Sequence, residues 1–236
     1  MPNGMPHTLA NFESALTQFN ENVLTMASTA RQNLKNAVEG LLTRNAELCA
    51  EAIADDDDVN NLERTIDREG FEILMRYNPV AGDLRQVLAG MKIANNLERV
   101  SDQAESIARR ARKILKHPEL PEVSLVEPIH QLADQLLAES AEAYAAGEVE
   151  RSLALYQRDE ELDKLHRKAI KELTKAIESN TAMVKPYLHL IFIVRCLERV
   201  GDHSVNIAED TVFSEKAADI RHLGPEETAS LLDSRS

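Results

Sequence analysis

Twice in this chain a glutamate stands four residues before an aspartate in the same local setting: Glu98 with Asp102, and Glu198 with Asp202. On a helix, positions i and i+4 share a face, so each pair sets two carboxylates side by side. Alone, such a pair repels by roughly 0.2–0.5 kcal/mol and calls for a counter-charge. Earlier in each half the pattern returns, as Glu63 with Asp67 and as Asp159 with Asp163. If the helices run side by side, four carboxylates gather in each half, an oxygen-rich setting for a hard or borderline cation. The competing readings are a solvated or salt-bridged acidic face, with Arg99 and Arg199 at hand, and direct contact with a basic partner surface. The 40 acids in 236 residues make i,i+4 acid pairs common by chance, so spacing alone does not choose among the three.

The elements that must position these residues read as helices. Long stretches are rich in Ala, Leu, Glu, Arg and Lys, which are strong helix formers. Ile93, Leu97, Val100, Ala104 and Ile107 step by four, three, four and three, an apolar stripe on one face. A first helix is expected over about 9–44, with Gly40 as a possible interruption, and a second over about 46–77, loosened at Asp55–Asp58. Asn78-Pro79 ends the second helix, because a residue before proline is pushed out of the helical region. A third helix follows from about Asp83 to Lys116. Prolines at 118, 121 and 128 mark a linker. Beyond it come helices over about 128–145, 148–178 and 183–215.

Both halves thus show helix, helix, long helix. Residues 97–108 (LERVSDQAESIA) and 197–208 (LERVGDHSVNIA) agree at seven of twelve positions. The expected fold is all-α, two tandem and similar three-helix bundles. The first spans 9–117 and the second 128–215, with a Pro-rich linker at 118–127 and a polar C-terminal tail over 216–236, frayed from Gly224. At 100° per residue the apolar stripe lies roughly 150° from the Glu98–Asp102 midpoint, so the acids are expected on the outer face. A ferritin-like site inside the bundle is disfavoured, since that class wants Glu-x-x-His on its helices and the one match, Glu127 to His130, stands alone at the linker.

Composition removes other classes. Lys plus Arg is 27 against 40 for Asp plus Glu, a formal net charge of −13. A chain this acidic would approach a nucleic acid against its own field. The two cysteines, Cys49 and Cys196, make no CxxC motif and no disulfide framework, which points to a reducing compartment. No apolar run approaches the ~18 residues of a membrane span, and the first residues do not read as a signal peptide. There is no Gly-rich phosphate loop, HExxH or GxSxG. Acid pairs alone could still serve a two-metal hydrolase, but an outward helix face offers neither a cleft nor a positioned nucleophile.

The segment Leu197-Glu198-Arg199-Val200-Gly201-Asp202-His203, followed by Asn206-Ile207-Ala208-Glu209, resembles the signature of the PhoU family, the phosphate-transport-system accessory proteins. Asn96 to Asp102 is similar, Asn60 to Glu69 resembles that family's second helix, and Asn78-Pro79-Val80 with Asp83-Leu84-Arg85 resembles the loop and helix start that follow. The resemblance covers roughly residues 9–215. It implies two three-helix bundles in a cytoplasmic homodimer. It also implies a negative regulator of the phosphate-starvation response and of phosphate uptake, not an enzyme. The partners it implies are the ATPase of the high-affinity phosphate ABC transporter and the phosphate-sensing membrane histidine kinase, reached by peripheral contact at the membrane's inner face. It further implies divalent or multinuclear metal (iron, zinc, manganese, nickel or magnesium) at two sites: Glu63, Asp67, Glu98 and Asp102, and Asp159, Asp163, Glu198 and Asp202. A metal-binding or metal-storage protein and a metal-dependent phosphohydrolase are the alternatives.

The copies differ at telling positions. Gln103, Ser106 and Arg109 stand where the second copy has His203, Asn206 and Glu209. The second bundle is therefore expected to bind metal more readily. His203 suits either a metal site or a polar contact between helices. Arg85, Arg99 and Arg199 suit either a partner surface or neutralisation of the acids. Tyr77 and Tyr187 read as packing residues with a wet hydroxyl, and Met75, Met91 and Met183 as core filler.

Overall fold

The computed structural model describes residues 5–221, 223 and 228, with side chains from residue 10 onward. The chain is all-α among these residues. Its helices are α1 (Met5–Leu42), α2 (Ala46–Ala54), α3 (Asp56–Tyr77), α4 (Ala81–Ile114), α5 (Val126–Ala146), α6 (Val149–Ser179) and α7 (Val184–Lys216), with 3-10 turns at Pro121–Leu125 and Thr181–Met183. The second helix of the first half is split in two. Asp55 joins α2 to α3 in near-helical geometry (φ −72°, ψ −10°), so the pair makes one bent rod and each half is a three-membered bundle.

The run of aspartates explains the split. Asp56, Asp57 and Asp58 occupy the first turn of α3, where carboxylates complement the positive end of the helix dipole. Gly40 does not interrupt α1. It allows α2 to fold back closely, since a Cβ there would lie 2.5 Å from Cys49 Sγ. Asn78 ends α3 in the left-handed region (φ 46°), and Gly147 ends α5 in the same way (φ 65°). Arg44 caps α4 from across the bundle, donating to the carbonyls of Leu115 (2.9 Å) and His117 (2.8 Å). Val126 and Glu127 already belong to α5, and Pro128 sits in its first turn, where a missing N–H costs little.

The third helices of the two halves, α4 and α7, pack along each other as a central seam, and α1 also reaches α5. One buried core therefore runs through both bundles, from Phe19, Leu34 and Leu97 to Leu136, Leu162 and Leu197. Past α7, Ala218 and Ile220 are buried beside Val212; the tail from Gly224, expected to fray, lies outside the described residues apart from Thr228. Met75 is not core filler: it is 71 % exposed, one turn from exposed Phe71, because α3 has no neighbour on that flank near its end. No helix among the described residues is long and apolar enough to cross a membrane.

Candidate metal centres

In the second bundle α6 carries Asp159, Asp163 and His166, and α7 carries Glu198 and Asp202. Asp163, His166 and Glu198 each offer one ligand atom, and these atoms lie within 4.8 Å of one another. All three residues are half-buried. His166 Nε2 is buried with no hydrogen-bond partner, which costs free energy unless something fills its coordination. Burial pushes the Asp159 carboxyl up to about 7, helped by the charges of Asp202, Asp163 and Glu198. Asp202 lies nearer solvent and is pushed up to about 6 by partial burial, Glu198 and Asp163, with Arg199 opposing. Arg167 Nη1 donates to Asp163 Oδ2 at 2.9 Å, a surface ion pair. The structure thus brings all four expected acids of this bundle into one electrostatic group.

Gly201 makes this approach of α6 and α7 possible. A Cβ there would lie 2.3 Å from Leu162 Cδ2 and 2.7 Å from Asp159 Oδ1. The first copy has Ser101 at that place, and its Oγ donates to Asp56 Oδ1 at 2.7 Å.

The first cluster is balanced differently. One arginine serves both acids of α4: Arg99 Nε lies 3.3 Å from Glu98 Oε2, and Arg99 Nη1 lies 3.2 Å from Asp102 Oδ2. Burial holds Glu98 above the usual carboxylate range, with Asp102, Glu63 and Asp56 adding to it and Arg99 opposing. Asp56 is also raised, by burial first and by Glu105 and Asp102, against the donated bond from Ser101. Asn95 Nδ2 is 3.5 Å from Glu63 Oε1. Asp67, the fourth expected acid, makes no hydrogen bond or ion pair among the described residues.

The Glu98 side chain is only 16 % exposed, less open than an outer face implies. Being central, α4 packs against α1 and α3 as well as against α7. His203 turns away from the acids: its Nδ1 meets Asn96 Oδ1 of α4 at 3.1 Å, a contact between helices. Arg85 Nε likewise donates to the Ser214 carbonyl at 3.0 Å. Tyr187 is buried, and its hydroxyl donates to Glu122 Oε2 at 3.1 Å. Sequence reasoning missed Asp56 and His166 as members of these clusters. His166 falls three residues after Asp163, on the same face, and that spacing was readable.

Two helical bundles related by duplication, fused through one core and each carrying an interhelical carboxylate cluster, define a duplicated all-α bundle class of protein. The family model described as the PhoU domain matches residues 23–111 and again 126–211. The chain belongs to the PhoU family. It is 30 % identical over 219 residues to a phosphate-specific transport system accessory protein PhoU homolog of Pseudomonas aeruginosa, covering 92 % of this chain and 90 % of that protein. It is 29 % identical over 226 residues to the phosphate-specific transport system accessory protein PhoU of Serratia marcescens, covering 96 % of this chain and 93 % of that one. The crystal structure of PhoU from Pseudomonas aeruginosa superposes with a TM-score of 0.85 at 29 % identity, over 88 % of this chain and 100 % of that one. The Streptococcus pneumoniae phosphate transport system regulatory protein PhoU shares the fold, with a TM-score of 0.82 at 22 % identity and coverage of 88 % and 98 %.

Proposed function

We propose that this chain is a cytoplasmic, non-enzymatic adaptor that restrains the phosphate-starvation response and phosphate uptake. It does so by linking the ATPase of a high-affinity phosphate ABC transporter to a membrane histidine kinase. The observation that carries this reading is the end-to-end match, over 92 % of the chain, to a relative named as a phosphate-specific transport system accessory protein. Family membership ties the chain to phosphate regulation; the two partners are the finer step. The test is affinity capture of the tagged full chain from gently solubilised, phosphate-replete cells. Recovery of the ATPase or the kinase is the expected result. Absence of both, in a preparation that keeps other membrane complexes intact, would overturn it.

A metal requirement is favoured by a separate observation, the unpartnered His166 Nε2 beside two carboxylates. Asp163, His166 and Glu198 would hold the ion, with Asp159 and Asp202 close enough to complete the set. Mixed nitrogen and oxygen donors suit borderline first-row cations such as zinc, manganese or iron. A bound cation would supply positive charge that relieves the crowding of acids between α6 and α7. In the first bundle Glu63, Asp67, Glu98 and Asp102, joined by Asp56, are the corresponding donors, and Arg99 already pairs with two of them. The second bundle is the stronger site on that ground. Exposed Phe71 and Met75 on α3 support a homodimer; a monomeric mass at micromolar concentration would exclude it.

A further inference from the structure

The α4–α7 seam opens into two grooves that the duplication relates to each other. One has a volume of about 390 Å³ and is walled by Gln103, Ser106 and Arg110 of α4 and by Phe192, Arg195 and Arg199 of α7. Both sets follow helical spacing, so two stripes face each other across the seam. Two acids also border the groove, but each is already paired: Asp102 with Arg99 at 3.2 Å and Glu105 with Arg109 at 2.5 Å. Arg195 and Arg199 make no hydrogen bond or ion pair among the described residues. The Arg110 guanidinium carbon lies 4.4 Å from the Phe192 ring centroid, over the aromatic face. Arg110 Nε is buried without a hydrogen-bond partner. Three guanidiniums thus converge where the two bordering acids are paired elsewhere, and Arg199 feels only the field of Asp202, with no ion pair to it, in a chain whose net charge is −13. The field extends along the seam: beyond the effect of burial, Lys113, Arg110 and His117 push the His189 imidazole down.

The mate groove is the internal control. At the places of Arg110, Phe192 and Arg195 it has Asp210, Lys92 and Asn95. Lys92 Nζ lies 3.4 Å from Asp210 Oδ1. Asn96 Oδ1 accepts from Asn206 Nδ2 at 3.3 Å and meets His203 Nδ1 at 3.1 Å. That groove satisfies itself. The seam therefore closes well without arginines at these places, and closure alone does not account for the unpaired Arg195 and Arg199.

We propose that the arginine groove binds a phosphate-class oxyanion, either free inorganic phosphate or the phosphate group of a small phosphoester. Guanidinium forks match tetrahedral oxyanions with paired N–H donors, the Ser106 hydroxyl and Gln103 amide add neutral donors, and Phe192, 44 % exposed, offers a face to an organic portion. This goes beyond the adaptor and metal readings and depends on neither.

The test is calorimetric titration of the full chain, stripped of metal by chelation so that no bound cation recruits the anion, with inorganic phosphate and separately with ATP, at fixed ionic strength against a chloride control. The expected result is saturable binding of one of the two, weakened about tenfold or more in the R195Q/R199Q double variant, as loss of charged hydrogen bonds predicts. Arg110→Lys keeps the charge and loses the fork, and weakens binding as well; Arg76→Gln, far from the groove, binds as the parent does. Tighter phosphate points to the free anion and tighter ATP to a phosphoester. Both substituted arginines of the double variant are exposed, so its folding is not at issue. No saturable binding of either probe, or unchanged affinity in the double variant, overturns the proposal.

Discussion

The carboxylate clusters on α3/α4 and α6/α7 occupy equivalent places in the duplication, yet their charge is balanced in different ways. In the first, Arg99 bridges Glu98 and Asp102, and Ser101 donates to Asp56. In the second, the position of Ser101 is taken by Gly201, the helices close in, and Asp159 is left among acids with its pKa raised to about 7. No ion pair joins Arg199 to Glu198 or Asp202. Each cluster keeps one buried polar atom without a hydrogen bond, Glu98 Oε2 in the first, though ion-paired with Arg99, and His166 Nε2 in the second, with no ion pair. The lesson is that one motif can be internally neutralised or left short of positive charge, depending on one arginine rotamer and one Cβ. The same contrast recurs at the two seam grooves, where Asp210 neutralises one and Arg110 charges the other.

The largest effect expected from this difference is on metal affinity. Glu198→Gln should lower cation binding to the second cluster by about 100-fold, the upper end of the range for lost outer-shell partners, while Glu98→Gln changes total metal content far less. Metal analysis of both variants after dialysis checks this, and equal losses would erase the distinction between the bundles. His166→Ala should reduce second-site occupancy while leaving the circular dichroism unchanged.

Next comes the contact at Gly201. Gly201→Ala drives a methyl into Leu162 and Asp159, and about 1–3 kcal/mol of stability should be lost through overpacking. Ser101→Ala in the other bundle has room, and should cost about 1 kcal/mol for the bond to Asp56. Denaturant unfolding of the two variants measures the contrast.

A smaller effect concerns pH. Asp159 is raised from an ordinary 3.8 to about 7 in the folded chain. Between these values the folded chain keeps a proton that the unfolded chain has released, so metal-free stability falls as pH rises through that window. Asp159→Asn should flatten the slope and raise the Tm at pH 7.5 by about 2–4 °C, the shift that about 1 kcal/mol produces at this size. Asp202, raised to about 6, leaves part of the slope in place. Bound metal should suppress the slope in the parent, because it holds the carboxylates ionised.

The smallest expected change tests the first cluster directly. Arg99→Gln removes an exposed bridge worth about 0.2–1 kcal/mol and should strengthen cation binding there by a few-fold. Weaker binding would mean that Arg99 orients the ligands rather than competing with the ion.

Much of this was legible in the sequence because it is local. Helical spacing of apolar residues, the punctuation at Asn78-Pro79 and Gly147, and the repeat at 97–108 and 197–208 act within a few turns of the chain. They were enough to predict the all-α duplicated fold and the grouping of Asp159, Asp163, Glu198 and Asp202. Spacing along one helix says nothing of what lies across from it. Asp56 joined the first cluster because α3 sets its first turn beside Ser101. Met75 was left in solvent because no helix covers the end of α3. Whether an arginine meets a carboxylate or faces an open groove is decided by the neighbouring helix, since charges and cavities belong to surfaces that exist only after α4 and α7 have packed. The sequence by itself therefore determined the helices, their faces and the repeat; the tertiary structure alone decided which acids share a counter-charge, because that depends on distances across helices.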